Sequence, residues 1–242
     1  MRLTSRPAKP DPLTSLEAYE SATRKRMIKI AGFIDRGLSL CNPYALDLRG
    51  DLEFDQDVSI DTNVIIIGRV RLGPGVSVGA NCILEDCRIK AGTVIKEFST
   101  VSGSTIGENC RIGPYARIRP DCHIGRDSSI GNFVEMKTTR TGDRCRINHH
   151  SFIGDCRIGR NVTIGAGAIT CNHDGEKVNQ SQIRDNAYIG SGVKLIAPIT
   201  VHRNAFIAAG STVVEDVPGN GLTLARARQT TIKGWSLEKR KR

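Results

Sequence analysis

From about Val58 to Val217 an aliphatic residue recurs every six positions with polar, small or turn-forming residues between; the cleanest run is Ile106, Ile112, Ile118, Ile124, Ile130 and Met136. Six is an even number, so an extended chain returns each aliphatic side chain to the same face, whereas a helix rotates it by most of a turn. Glycine directly follows Ile106, Ile112, Ile124 and Ile130, where the strand must bend. The pattern predicts an all-β solenoid of hexapeptide repeats, a parallel β-helix in which each rung buries its aliphatic row against the rungs above and below. Functional groups then lie on the outer walls or between subunits.

Outside the repeat the periodicity changes. Residues 1–13 hold three prolines and read as a loose arm. Thr14-Ser-Leu-Glu17 resembles a capping box, and Leu16, Tyr19, Thr23, Met27, Ile30 and Ile34 keep helical spacing, which predicts a helix over about 15–34. The expected organisation is an N-terminal arm over 1–45, a β-helix over 46–220 and an irregular, basic C-terminal tail over 221–242. The repeat has one large break: after Thr170 the next hexad opener is Ile183. A solenoid rung is stacked on both sides, so the insertion must leave the wall as a loop, about 171–182, and loops on rigid scaffolds are where binding groups concentrate.

Charge changes the picture only at the ends. The formal net charge is +10; residues 1–30 carry seven Lys or Arg against three acids, and residues 226–242 carry seven against Glu238 alone, which leaves the body neutral. A nucleic-acid reader more often shows a basic stripe on its folded body, and none is visible in the sequence, so no nucleic-acid partner is expected. Eight cysteines are present without a C-x-x-C pair. Cys82, Cys110, Cys122 and Cys145 each fall four residues after a hexad opener, on the aliphatic side, and read as packing thiols of a reducing, cytoplasmic compartment. The chain contains no apolar run of membrane-spanning length and no signal-peptide core, so neither insertion nor secretion is expected.

Three clusters carry candidate chemistry. Arg117, Arg119, Glu135 and Lys137 span neighbouring rungs; in rungs of three hexads Arg119 and Lys137 stack about 4.8 Å apart, as a phosphate clamp or as solvated charges. Asn148-His149-His150 offers a side chain that accepts a proton near neutral pH, as an acyl transfer to an amine requires, or an ordinary surface histidine. Zinc is a rival there, although His123, His149, His150, His173 and His202 follow no ligand spacing. The small residues of Ile164-Gly-Ala-Gly-Ala-Ile-Thr-Cys-Asn172 permit close approach of a ligand to backbone.

The motifs Arg111-Ile-Gly-Pro-Tyr-Ala-Arg-Ile-Arg-Pro120, Gly131-Asn-Phe-Val-Glu-Met-Lys137, Ile164-Gly-Ala-Gly-Ala-Ile-Thr-Cys-Asn172 and Ile207-Ala-Ala-Gly-Ser-Thr-Val213 strongly resemble the acetyltransferase domain of the bifunctional N-acetylglucosamine-1-phosphate uridyltransferase and glucosamine-1-phosphate N-acetyltransferase family. The resemblance covers about residues 45–235. It implies a left-handed β-helix, a homotrimer with active sites between subunits, and acetyl-CoA as acyl donor with no metal needed for the transfer. It further implies His149 as general base with Glu135 as supporting carboxylate, Arg119 and Lys137 on the acceptor phosphate, and Asn172, Ser191, Ala209 and Arg226 on acetyl-CoA. Nothing matches the family's uridyltransferase half, so no uridyltransferase activity is expected.

The acceptor side departs from that pattern. Phe152 stands where the family has a tyrosine, Thr163 where it has an asparagine, and Val178 where it has a lysine, with Lys177 adjacent as a substitute; on the donor side His173 replaces a tyrosine. The expected function is acetyl-CoA-dependent N-acetylation of an amino sugar for cell-envelope polysaccharide synthesis, with glucosamine 1-phosphate or a related phosphorylated hexosamine or sugar nucleotide as acceptor. The alternative is a catalytically silent trimeric scaffold that binds a partner through its N-terminal helix.

Overall fold

The structure, a computed structural model, describes residues 15–233, 235 and 236. It is a parallel β-solenoid of about ten turns preceded by one helix, α1 (Leu16–Asp35). Each turn contributes strands to three faces. Face 1 is a sheet of eleven strands running from Ser39–Leu40 to Leu222–Thr223. Faces 2 and 3 belong to one seventeen-stranded sheet, because Asp47–Phe54 and Ile65–Leu72 pair along their whole length while bending from face 2 onto face 3.

The six-residue beat fills the interior. Ile106, Ile112, Ile118, Ile130 and Met136 have no exposed surface and Ile124 has 3 %, and burial of each such side chain contributes about 1.5–3 kcal/mol relative to exposure. The turn length is less regular than three hexads. Ile112 faces Ile130, eighteen residues on, whereas Ile130 faces Ile147, seventeen on, so single-residue deletions are absorbed at the corners. At the break Thr170 faces Leu195, twenty-five residues on. The surplus leaves as a loop whose neck is closed by the Asn179 amide donating to the Asn172 carbonyl at 2.7 Å and by an antiparallel bridge between His173 and Val178.

The corners explain the cysteines. Cys82, Cys110, Cys122 and Cys145 are fully buried, and the thiols of Cys82, Cys110 and Cys145 donate to the carbonyls of Lys96, Gly125 and Gly159 in the following turn. Cys87 and Cys156 occupy equivalent places and are also buried. Burial pushes the Cys82, Cys122 and Cys145 thiols up to about 11 and those of Cys87 and Cys156 to about 12, so all are neutral packing groups.

Both ends of the ladder lie outside the expected 46–220. Ser39–Leu40 already pairs with Ser59–Ile60, and Leu222–Thr223 still pairs with Phe206–Ile207; Leu38 and Leu46 are buried and draw the connecting segment into the first turn. The helix is capped by Ser15, whose hydroxyl accepts from the Ala18 amide at 3.1 Å; Thr14 and the proline-rich arm lie outside the described residues. Only part of its apolar surface docks. Ile30 and Phe33 are buried, Phe33 meets Phe54 edge-to-face at 5.6 Å, and Arg36 lies over both rings, while Leu16, Tyr19 and Ile34 stay exposed. The helix closes the open end of the first turn, which a solenoid needs because its terminal turn has no neighbour on one side. Among the described residues no helix is long and apolar enough to cross a membrane.

Candidate active site

The corner between faces 1 and 2 changes character at His149. On its N-terminal side Phe98, Tyr115, Phe133 and His150 form one ladder of half-exposed rings, with successive centroids 4.9, 5.3 and 4.8 Å apart. On its C-terminal side the corner is bare. The amide of Gly167 donates to the His149 carbonyl, that of Gly192 to Ala166, and that of Gly210 to Ser191, so His149, Ala166, Ser191 and Ala209 form one column flanked by glycines. Gly167, Gly192 and Gly210 have φ of +74°, +69° and +73°, a left-handed conformation that glycine adopts without cost. Phe98, Tyr115 and Phe133 take the same conformation with φ between 54° and 59°; the ring-to-ring contacts accompany that strain. In the linear sequence these glycines are weak signals, because the repeat uses glycine at many turns. Stacked, they leave one strip of the corner free of large side chains, leading away from His149.

His149 is exposed and held from below. Its Nδ1 lies 2.7 Å from Oδ1 of Asn132, its direct neighbour in the preceding turn. With a carbonyl oxygen as acceptor the proton sits on Nδ1, which leaves the Nε2 lone pair free to accept another. Glu135, expected to support the base, does not hold it within the chain: its oxygens pair with Arg119 at 2.9 Å and Arg117 at 3.6 Å. The register gives the reason, since Glu135 stands opposite Phe152, three residues beyond His149, on face 2.

Face 2 also carries the cation pair. Arg117 stands opposite Glu135, and the Arg119 amide bonds the Met136 carbonyl, which continues that register and places Arg119 over Lys137. Neither is a free cation. Arg119 is ion-paired with Glu135, and Lys137 Nζ lies 3.5 Å from Asp155 Oδ2. Asp155 is a site residue that sequence reasoning does not reach, and it does more than pair with Lys137. Its carboxylate also accepts a hydrogen bond from the Asn172 side-chain amide, and its carbonyl accepts from the Ser181 amide at 3.1 Å. It therefore joins Lys137 to both stems of the inserted loop.

The remaining expected residues fall in three places. Phe152 is half-buried on face 2 between Glu135 and Ile169. Thr163 lies on face 1 between Arg146 and Tyr188, on a different wall from Arg119 and Lys137. Lys177 and His173 sit in the loop, which Asp174 organises by accepting from the amides of Glu176 and Lys177 and from the Asn179 side chain; these bonds hold its carboxyl well below the ordinary value of 3.8. His173 Nδ1 accepts from the Gly175 amide at 3.0 Å. Arg226 leaves the last turn and donates from Nη1 to the Ala209 carbonyl at 2.9 Å, beside an open cavity of about 400 Å³ lined by Leu224, Arg226, Ala227, Arg228 and Gln229. A cavity of about 460 Å³ over Ser39, Ser59 and Ser77 lies at the other end of face 1 and touches none of these groups. Among the described residues no group of three or more His, Cys, Asp or Glu is placed to hold a metal ion.

The fold and this corner define a hexapeptide-repeat β-helix of the left-handed type. The chain matches the family described as GMPPB C-terminal domain over residues 48–122 and the bacterial transferase hexapeptide family (six repeats) over residues 180–214. Its similarity to solved structures is one of fold: the UDP-N-acetylglucosamine acyltransferase from Campylobacter jejuni superposes with TM-score 0.54 at 20 % identity, covering 75 % of this chain and 77 % of that one. The Francisella novicida UDP-N-acetylglucosamine acyltransferase gives 0.53 at 19 %, covering 81 % and 72 %.

More particularly, the chain is homologous to the C-terminal half of the bifunctional protein GlmU. It is 41 % identical to that of Chromobacterium violaceum over 229 residues, which are 95 % of this chain and 49 % of the relative, and 46 % identical to that of Alkalilimnicola ehrlichii over 220 residues, 91 % and 47 %. The chain thus spans about half the length of these relatives.

Proposed function

We propose that the protein is an acetyl-CoA-dependent N-acetyltransferase acting on a phosphorylated amino sugar, with glucosamine 1-phosphate as the first candidate acceptor and related hexosamines or sugar nucleotides next. The observation that carries this is the corner column: a histidine with its Nδ1 held by Asn132 stands at the foot of a bare strip formed by Ala166, Ser191 and Ala209 and three glycines. A long, thin thioester arm fits along that bare corner, and Arg226 beside its far end suits the phosphates of CoA. The acceptor phosphate would be taken by Arg119 and Lys137 on the adjoining face.

In the reaction, Nε2 of His149 accepts a proton as the acceptor amine attacks the thioester carbonyl. The new C–N bond forms, the C–S bond breaks, and the imidazolium returns its proton to the departing thiolate, giving the acetamide and free CoA. Backbone N–H groups of the corner are suited to steady the developing oxyanion.

The site reads as shared between subunits of a homotrimer. Thr163 faces outward from face 1 and the Arg119–Lys137 pair from face 2, so one acceptor meets both when a second copy brings its own wall to this corner. Apolar outward residues on face 2, Ile65, Ile67 and Ile83 before the charged cluster and Ile169 and Ile196 after it, suit such a contact. This role belongs to synthesis of cell-envelope polysaccharide precursors in the cytoplasm, consistent with eight free cysteines. Uridyl transfer is not part of the proposal.

The test is release of free CoA from acetyl-CoA by the purified protein over a panel of amino sugars. Turnover with one or more phosphorylated hexosamines is expected; acetyl-CoA binding without turnover on any acceptor would refute the proposal.

A further inference from the structure

Face 3 carries a feature that the linear sequence conceals. In the ladder Arg71 stands directly opposite Arg88, Arg88 opposite Thr105, Thr105 opposite His123, His123 opposite Arg140, and Arg140 opposite Arg157. These side chains alternate with buried Leu72, Ile89, Ile106, Ile124 and Ile158, so they point outward, and all except Thr105 are exposed. Five steps of about 4.8 Å make a straight column about 24 Å long. The second outward position of the same face adds Lys90 and Arg184 and is otherwise mostly glycine, and between Arg71 and Arg184 no outward position of face 3 holds a carboxylate.

Charge compensation is nearly absent. Some cations of the solenoid are ion-paired, as in Arg126 with Asp143 and Arg160 with Asp185. In the column only Arg71 has an ion pair, with Glu53 at a long 3.9 Å; among the described residues Arg88, Arg140 and Arg157 have none. Like charges directly opposite in a sheet destabilise it, and two such arginine pairs occur here. Of the carboxylates at the corner before this face, Asp86 accepts from the Arg69 amide and Asp155 serves Lys137 and Asn172, while Asp121 is exposed two residues before His123 and is the one nearby counter-charge of the column among these three.

We infer that face 3 is a docking surface for a linear phosphate polymer. The shape argues for a linear ligand, since the cations lie in one line on a flat wall and not around a cavity. The wall's backbone groups are already spent in the ladder, so recognition rests on side-chain charge, which favours a ligand with closely spaced anions. The fixed cations of the line are arginines, whose planar fork matches phosphate oxygens two at a time. None of these residues lies at the corner site, so docking on face 3 is independent of acetyl transfer.

The test uses the full chain with a fluorescent 20-nucleotide oligouridylate in anisotropy titrations at several salt concentrations, and inorganic polyphosphate of matched charge as competitor. The triple variant Arg88→Ser/Arg140→Ser/Arg157→Ser is expected to bind at least tenfold more weakly. Its log–log salt slope should be shallower by about 2, at about 0.7 for each single-strand phosphate that is no longer neutralised. Arg111→Ser/Arg146→Ser removes two positive charges from face 1 and should bind more nearly like the parent, as should variants losing a single charge off face 3 in general; the comparison is made per charge removed. Polyphosphate should displace the oligonucleotide, since the phosphates are what is read. Relief of like-charge repulsion should leave the triple variant's Tm equal to or above the parent's. Unchanged affinity and slope in the triple variant would overturn the inference. So would displacement by polyglutamate as effective as by polyphosphate, which would mark a site for an acidic protein, or a Tm loss of several degrees, which would make the arginines structural.

Discussion

Asp155 accepts a hydrogen bond from the side-chain amide of Asn172 with the same oxygen that lies 3.5 Å from Lys137 Nζ. One carboxylate thus ties a lysine assigned to the acceptor phosphate to an asparagine assigned to acetyl-CoA, and its backbone carbonyl holds Ser181 at the far stem of the loop. Asp155→Asn keeps the shape and removes the charge. Loss of a charge-assisted bond of this kind costs about 1.5–3 kcal/mol, so KM should rise roughly tenfold or more for acetyl-CoA and for the acceptor together. Steady-state kinetics with each substrate varied in turn checks this; a rise for one substrate alone would contradict the bridging role.

Asn132 fixes the proton of His149 on Nδ1. Asn132→Ala leaves the imidazole free to rotate and to exchange tautomers, so kcat should fall by about 10- to 100-fold with little change in KM. Asn132→Asp, which again accepts from Nδ1, should recover most of the loss. Equal defects in both variants would show that Asn132 acts by packing.

The bare corner should be sensitive to bulk. Ser191→Trp covers the strip between Ala166 and Ala209 without touching the buried rows, so acetyl-CoA affinity measured by calorimetry should drop by tenfold or more while Tm stays within a degree or two of the parent. Undiminished affinity would place the thioester arm elsewhere.

Asp174 sets a pH limit on the order of the loop. Its carboxyl is held below the ordinary value of 3.8 by the amides of Lys177 and Glu176. A depressed folded value means that the ordering it supplies is fully present above about pH 4 and fades as pH falls toward the folded value. At neutral pH, Asp174→Ala should mimic the acid form, with faster amide exchange at Glu176 and Lys177 and unchanged protection in the flanking strands. Unaltered exchange there would refute the role.

The thiols provide a test of the fold itself. Cys41 is exposed and Cys171 half-buried, while the other six cysteines are buried. Titration with a thiol reagent at pH 8 should label Cys41 quickly, Cys171 more slowly, and the remaining six only on unfolding. Rapid labelling of Cys87 or Cys156 would be incompatible with the packed corners.

What is legible in the sequence depends on the distance over which a pattern must be seen. Ile106 to Met136 spells out the interior row within thirty residues, so the solenoid can be read without any structure. The alternation of seventeen- and eighteen-residue turns cannot, because a one-residue slip at a corner leaves the hexad beat intact on either side. That slip hides the column Arg71, Arg88, His123, Arg140 and Arg157, which is spread over nearly ninety residues of a body whose formal charge sums to zero. Asp155 escapes notice for a related reason: it looks like an ordinary turn aspartate after Gly154. Its separations of eighteen residues from Lys137 and seventeen from Asn172 are the available signal. Only the family resemblance puts Glu135 beside His149, whereas register sets it opposite Phe152.

Acetyl transfer is tested most directly by a coupled measurement of free CoA thiol released from acetyl-CoA in the presence of glucosamine 1-phosphate and related phosphorylated hexosamines, with the parent and with His149→Ala. Acceptor-dependent release by the parent is expected, with a loss of at least a hundredfold in kcat for His149→Ala while acetyl-CoA binding and oligomeric state are retained. Acceptor-dependent release that survives in His149→Ala at the parent's rate, or no release by the parent with any amino sugar, would contradict it.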